Sequence, residues 1–536
     1  MGMRPLACPT YCAQMTSVSL IGPAPALEAY LRRCGLVLVS DLGGDCVIVT
    51  TALTDADEDR LLGLDVPVLF VGPTASTAVT DAAGLVPGPL TPLHETRVRP
   101  GPAVGEVMDR AGGELLFGVR WPVQEKVADD VEVVLTANVA FTDHPVATWR
   151  PSTGVAMLTV VAAEDPQWHR LVHRLLRRIL GITDGGRVRV GILGFGAIGH
   201  EHSAAIARTR GLELTAVCDG NPDRLAAAGQ PGLHLHEDAE DLLADDTVDL
   251  VIVSTPPNTH ASWVLRCLAA GKHVVVEKPF CLTVTEADSQ IAAAKERGLT
   301  LAVYQNRRWD ADYLALKQVV RSGQLGEVFH YESFIGGYGH PCNYWHSDEQ
   351  VSGGAIYDWG SHYLDWVLDL FPQQVEWVSA TTHKRVWHDV TNADHSRVLV
   401  HFADGVEAEF THSDLSAALK PKFYVLGTQG GLIGDWRHER VVARSPIGTL
   451  HEDTLAHSDS PAELRVFTPN DHGRTHETRL AIPPAPAEPF HRQLADQILA
   501  GEPMEVTPEG SRRNIAVMQA ATASAALSGR PVPLPE

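Results

Sequence analysis

Apolar and polar positions along the chain fall into three successive patterns. Up to about residue 183, short apolar runs at 18–22, 36–40, 46–51, 66–71 and 131–135 alternate with helical stretches such as 25–33 and 55–62. Such alternation predicts a parallel sheet covered on both faces by helices. The pattern closes on a helix at 167–180, whose Leu171, Val172, Leu175, Leu176 and Ile179 share one side. Residues 181–186, rich in turn formers, then read as a linker. From 187 to 307 the strands become almost wholly apolar (188–193, 212–218, 248–255, 273–276 and 299–304), as expected when both faces of a sheet are buried. From 308 onward the period changes. A helix at 313–322 precedes long alternating runs at 328–335, 397–402, 406–412 and 423–427, which predict a mostly antiparallel, open sheet, and helices return at 490–500 and 508–528. Three domains are therefore expected: an α/β domain over 1–183, a doubly wound nucleotide domain over 187–307, and an α+β domain over 308–536.

Charge narrows the function. A net charge of −23 disfavours binding to nucleic-acid backbones or anionic membrane surfaces and suits an enzyme with a small-molecule substrate. The eight cysteines are scattered, mostly inside apolar runs, and the one close pair, Cys8 and Cys12, has no second pair at zinc-site spacing. No stretch approaches the length of a membrane span and the start lacks the pattern of a leader, so a cytoplasmic location is expected.

The second pattern opens on a glycine fingerprint, Gly194-Phe195-Gly196-Ala197-Ile198-Gly199, between an apolar strand and a helix rich in small residues. In a dinucleotide fold the first glycine makes the tight turn, the second lets the backbone approach a pyrophosphate, and the third lets helix and strand pack closely. The N–H groups opening the helix favour the anion. Asp219 ends the next strand, where a carboxylate accepts hydrogen bonds from the ribose hydroxyls and repels a 2′-phosphate. NAD is therefore expected over NADP, although Arg224 nearby leaves some room for the phosphate. The fourth strand ends in Ser254-Thr255-Pro256-Pro257-Asn258-Thr259-His260, placed by the rule for such sheets to line the nicotinamide half of the cofactor.

Two further strand ends read Glu277-Lys278-Pro279 and Gln305-Asn306-Arg307-Arg308. With the fingerprint, Asp219 and the Ser-Thr-Pro-Pro-Asn-x-His loop, they make residues 187–536 resemble the Gfo/Idh/MocA oxidoreductases. The resemblance implies that Glu277, Asn306 and Arg307 belong to the cofactor site and that Lys278 serves both cofactor and catalysis. It also gives a role to Gly353-Gly354 followed by Asp358 and His362, which share a helix face at their spacing of four. On this reading His362 is the general base. Asp358 orients the substrate hydroxyl and raises the histidine's pKa, and Lys278 stabilises charge on the reacting oxygen. Tyr338, His340, Asn343, Trp345 and His346 are candidates for the pocket wall, since polar groups beside aromatic rings suit a polyhydroxylated ring.

The first domain loosely resembles the flavodoxin-like fold of ThuA-type and class I glutamine amidotransferase domains, most closely at Phe141-Thr-Asp-His-Pro-Val146. It lacks the glycine-flanked cysteine elbow that amide transfer needs: Cys46 opens a buried run, and the turn after Val71 reads Gly72-Pro73-Thr74. A catalytically silent accessory domain is expected, with His144 as a turn histidine before proline. His234, His236, Glu237 and Asp238 lack a metalloenzyme spacing and read as solvated surface, so no metal is expected. The expected activity is NAD-dependent oxidation, or reversible reduction, at a secondary hydroxyl of a sugar, cyclitol or related polyol, in a homo-oligomer assembled through the third domain. Two alternatives stay open. One is a redox-neutral enzyme that cleaves or epimerises glycosides with tightly held NAD, and the other a non-catalytic NAD-binding regulator.

Overall fold

The computed structural model describes residues 16–535 except 73–75, 92–95, 104–106, 108–114, 118, 140–141, 183–185, 230–231, 343, 445–449, 457–460, 471 and 483–484. Cys8, Cys12, Pro73, Thr74, Phe141, Asn343 and part of the 181–186 linker thus lie outside the described residues. The chain forms two compact units, Met1–Arg187 with Ala495–Pro503, and Val188–Leu494 with Met504–Glu536. Among the described residues no helix is long and apolar enough to cross a membrane.

In the first unit the parallel sheet expected from the pattern is only half of what forms. Val37–Val39, Ser17–Ile21, Cys46–Val49, Val68–Val71 and Val155–Leu158 run parallel in that order, and the sheet then continues antiparallel through Thr142–Arg150, Glu132–Val139, Thr96–Pro100 and Leu115–Phe117. Too few residues separate Glu132–Val139 from Thr142–Arg150 for the crossover that a parallel pair requires. His144 accordingly lies within a strand, with Nδ1 3.3 Å from the carbonyl of Gln124, rather than in a turn. The strand tolerates Pro145 because its register slips there. The amphipathic helix, Pro166–Ile179, buries the apolar side read from the sequence.

In the second unit six strands, all parallel, stand in the order His234–His236, Leu212–Cys218, Val188–Leu193, Leu250–Val253, His273–Val276, Leu301–Val303. This is the doubly wound order whose switch point, between the first and fourth strands in sequence, makes the ligand crevice. An eight-stranded sheet follows, antiparallel except where Val328–Gly336 pairs with Glu407–Ser413. Val398, Val400 and Phe402 bury alternate positions on one face, and helices Ala355–Leu370 and Pro508–Ala526 contribute Leu364, Val367, Ile515 and Met518 to the same core. Arg512 pairs with Asp288, and Arg513 donates to the carbonyl of Leu368. Both arginines are therefore engaged within this unit.

Candidate functional site

The site grows from the end of strand Val188–Leu193. Gly194 has φ +94°, and a Cβ placed there would lie 2.6 Å from the carbonyl oxygen of Ser254, so the turn admits only glycine. A Cβ on Gly199 would meet the Gly194 carbonyl at 2.8 Å, which is how closely helix Ala197–Arg208 packs on the strand loop. Gly196 differs: an added Cβ meets nothing within 4 Å, and the helix it opens has no side-chain cap. Uncapped N–H groups beside open space fit a dinucleotide's pyrophosphate.

Asp219, expected to meet the ribose hydroxyls, has a structural task that the sequence did not suggest. Its side chain is buried, with Oδ2 accepting from the Phe195 N–H and Oδ1 from the Asn221 N–H, both at 2.8 Å, so the carboxylate also fastens the glycine loop. Arg224 Nη1 stands 3.5 Å from Oδ2. Across the crevice Ser254 donates from Oγ to the Gly194 carbonyl at 2.7 Å. Thr255 and Thr259 share a 2.7 Å hydrogen bond below Pro256 and the exposed Asn258. His260 is wholly buried, with its ring nitrogens each 2.8 Å from a backbone carbonyl, of Pro279 and of Thr255. It joins the two strand-end loops and offers no free polar atom to a ligand.

Glu277 and Lys278 end strand His273–Val276, and the Lys278–Pro279 peptide is cis. Lys278 Nζ lies 3.1 Å from Asp358 Oδ1, joining positions 80 residues apart. Asp358 sits in the first turn of helix Ala355–Leu370, which starts after Gly353 and Gly354, both at positive φ. A Cβ on Gly353 would strike Tyr357 at 2.7 Å and Leu282 at 2.8 Å. Burial raises the Asp358 carboxyl, but Lys278, His346 and the hydrogen bonds to both outweigh it and hold the group well below the usual carboxylate range. His346, stacked on Trp345 at 3.7 Å, places Nδ1 3.7 Å from Asp358 Oδ1. Pro257, Lys278, Pro279, Trp345, His346, Ser352 and Asp358 line one cavity.

His362, one turn after Asp358, is buried, and among the described residues its Nδ1 has no hydrogen-bond partner. Its pKa is lowered well below the ordinary histidine value, by burial first and then by the charges of Lys278 and Arg307, against which the upward pull of Asp358 loses. The upward shift expected from Asp358 is therefore reversed. Arg307, on the single turn Asn306–Trp309, stands over the Trp359 ring at 5.4 Å and pairs with Asp310 at 3.2 Å. Among the other candidates for the pocket wall, exposed Tyr338 and His340 gather instead around Trp387, where His340 pairs with Asp389 at 2.8 Å.

Sequence reasoning missed a buried chain behind Lys278. His202 Nε2 is 2.7 Å from Glu277 Oε1, His202 Nδ1 is 2.9 Å from His491 Nε2, and Glu277 Oε2 accepts the Lys278 N–H at 3.2 Å. No local signal points to it, because His202 and His491 lie 289 residues apart. Nor does Glu237 or Asp238 join His234 and His236; their acidic neighbour is Asp245.

The buried histidines carry a pH prediction. Burial lowers the pKa of His273, His362 and His491, and His273 Nδ1 accepts the Thr300 N–H, which requires the neutral ring. Below about pH 6.5 the unfolded chain binds protons at these sites that the folded chain refuses, so their contribution is present above that pH and lost as pH falls. Asp310, pushed up to about 6 by burial, acts oppositely between about pH 6 and 4 and offsets part of the loss. We expect the urea midpoint of the second unit to fall between pH 7.5 and 5.5, equivalent to roughly 2–3 kcal/mol. A midpoint unchanged over that interval would show that these rings titrate normally.

Comparison with known proteins gives two family matches. Residues 188–305 match the oxidoreductase family, NAD-binding Rossmann fold, and residues 313–433 match the GFO/IDH/MocA C-terminal domain. An uncharacterized oxidoreductase of Schizosaccharomyces pombe is 31% identical over 46% of this chain, which spans 64% of that relative's length. One of Escherichia coli is likewise 31% identical over 46% of the chain, here spanning 70% of the relative. The NADP(+) scyllo-inositol 2-dehydrogenase of Bacillus subtilis is 27% identical over 63% of the chain and 93% of its own length. Among solved structures, an NAD-binding protein from Listeria innocua superposes with a TM-score of 0.55 at 26% identity, covering 65% of this chain and 97% of its own.

Proposed function

Because the chain belongs to the Gfo/Idh/MocA oxidoreductase family, we propose that it is a nicotinamide-dependent dehydrogenase acting on a secondary hydroxyl of a sugar, cyclitol or related polyol. The observation that carries this reading is the 3.1 Å approach of Lys278 Nζ to Asp358 Oδ1 in a cavity beside the strand ends that close on the glycine loop. Inositol oxidation by the Bacillus relative supports the substrate class. The bound dinucleotide supplies the acceptor for the hydrogen and electron pair lost from the carbinol carbon. Residues 194–199, with Asp219 and the loop from Ser254 to Pro256, would hold that cofactor, and Lys278 would serve its redox end and the substrate together. Lys278 donates a hydrogen bond to the reacting oxygen and stabilises its developing negative charge, while Asp358 orients the hydroxyl. His362 takes the hydroxyl proton. Its lowered pKa keeps the ring neutral, and so a proton acceptor, at every pH from neutrality upward. Asp219 favours NAD, because a 2′-phosphate would meet a carboxylate already committed to the glycine loop.

The test is absorbance of the reduced nicotinamide with purified protein, NAD or NADP, and a panel of inositols, sugars and glycosides, with product analysis on the same samples. The expected result is net reduced cofactor with one polyol, a kcat/KM higher with NAD than with NADP, and loss of the signal in His362→Ala. Glycoside consumed with no net reduced cofactor would replace this reading with a redox-neutral lyase or epimerase. Dinucleotide binding with no turnover of any compound would favour a regulator.

A further inference from the structure

We propose that His234, His236 and Asp245, brought together at the edge of the nucleotide sheet, bind a divalent transition cation of the zinc, cobalt or nickel class.

The local fold explains why these three meet. Residues 234 and 236 are alternate positions of the edge strand His234–His236, so both imidazoles leave the same face. Helix Ala239–Ala244 follows and ends at Asp245, which returns a carboxylate to that face. His234 Nδ1 lies 2.8 Å, and His236 Nε2 3.1 Å, from the same oxygen, Asp245 Oδ2. The three ligand atoms all fall within 4.8 Å of one another, a spacing that an ion with bonds of about 2.0–2.2 Å to nitrogen and oxygen closes with small side-chain movements.

The chemistry of the donors selects the ion. Two neutral imidazoles and one carboxylate suit zinc and its neighbours, whereas calcium and magnesium require shells of oxygen. The carboxylate is also oriented from behind. Asp245 Oδ1 accepts the Thr247 N–H at 2.8 Å and the Thr247 hydroxyl at 2.6 Å, which turns Oδ2 toward the histidines. An outer partner that fixes a ligand in this way accompanies most protein metal sites. Access is open, since the His234 side chain is 50% exposed while those of His236 and Asp245 are 18% and 7% exposed. Three protein ligands leave at least one coordination position for water. Because the His236 carbonyl accepts the Asp219 N–H at 3.2 Å, the cation would tie down the edge strand that supports Asp219.

The experiment is isothermal titration of the tag-free, EDTA-stripped full chain with zinc chloride at pH 7.5, repeated with cobalt chloride while the visible absorption is recorded. The expected result is one cation per chain at micromolar affinity or tighter, a visible cobalt spectrum of four- or five-coordination, and a rise in unfolding temperature on zinc addition. Affinity should fall at least tenfold in His236→Ala and in Asp245→Asn. His234→Ala, at a half-exposed position that cannot threaten folding, should lose the cobalt band with the metal-free unfolding temperature unchanged. Absence of binding tighter than millimolar, or binding and cobalt spectrum undiminished in all three variants, would overturn the proposal and leave a hydrogen-bonded trio.

Discussion

Lys278→Met is expected to lower kcat/KM for the polyol by about 10²–10³-fold, the loss typical when one donor to a developing oxyanion is removed. Methionine keeps the length and apolar stem of lysine and deletes the ammonium, so the cavity lined by Pro257, Pro279 and Trp345 stays filled. The ammonium now meets the Asp358 carboxylate at 3.1 Å and its backbone carbonyl at 3.4 Å. Removing it leaves the His346 ring, with Nδ1 at 3.7 Å, beside that carboxylate. The loss should fall mainly on kcat, because the charge the lysine opposes is greatest in the transition state. Dinucleotide affinity, measured by fluorescence titration, should change far less, since in the proposed function the glycine turn and Asp219 hold the adenosine half. The pH profile adds an independent check. With one of the positive charges that depress His362 gone, its pKa rises toward the ordinary value, and the acid limb of kcat/KM should move to higher pH. Equal loss of dinucleotide affinity and kcat would place Lys278 in cofactor binding alone.

How much of this could be read in advance depends on sequence distance. Gly194, Gly196 and Gly199 carry their meaning within six residues, because strand, turn and helix are consecutive; the structure explains Gly194 by its positive φ and Gly199 by close packing, and leaves open space at Gly196. The doubly wound character of the nucleotide domain followed from the same local regularity, and the structure supplies its strand order. Lys278 and Asp358 were legible only as members of a resembling pattern, since nothing in either neighbourhood states that they touch. The His202–Glu277–His491 chain was out of reach for the same reason, and its residues belong to no motif other than Glu277 itself. Asp245 escaped because a helix separates it from His236, and the nearer Glu237 and Asp238 drew attention away. The direction of the His362 shift was misjudged because one carboxylate was weighed without the burial and the two cations that surround the ring. In the first sheet, apolar runs disclosed strands but not their direction, which the short connection before Thr142 decided.

The second large effect is on folding. Glu502→Ala is expected to destabilise the first unit by about 3–5 kcal/mol, the cost of removing the shared carboxylate of a buried ion-pair network in which Arg174 keeps Asp496. Segment Ala495–Pro503 belongs to that unit, and the Glu502 side chain is 1% exposed. Arg174 reaches it through Nη2 at 2.9 Å and Nε at 3.1 Å, His173 Nδ1 at 2.9 Å, and Arg170 Nε at 3.3 Å. Burial raises the Glu502 carboxyl, but Arg174, His173 and Arg170 outweigh it and hold the group far below the usual range. A depressed carboxyl stabilises the fold above the unfolded value of about 4.3, and that contribution is lost as pH falls through the folded value. At pH 7.5 it is therefore fully present, and the substitution should show its whole effect there. Glu28 and Arg32 supply the contrast: they make the same kind of bond at 2.9 Å, but with side chains 44% and 54% exposed. Glu28→Ala should cost no more than about 0.5 kcal/mol, because water already solvates both partners. Hydrogen exchange of helix Pro166–Ile179 separates the two cases, since that helix carries Arg170, His173 and Arg174, the partners of Glu502 named above. Its amides should exchange at least a hundredfold faster in Glu502→Ala and at nearly the wild-type rate in Glu28→Ala. Equal rates in the two variants would mean that the apolar side of the helix, Leu171, Val172, Leu175 and Leu176, holds it in place without the buried charges.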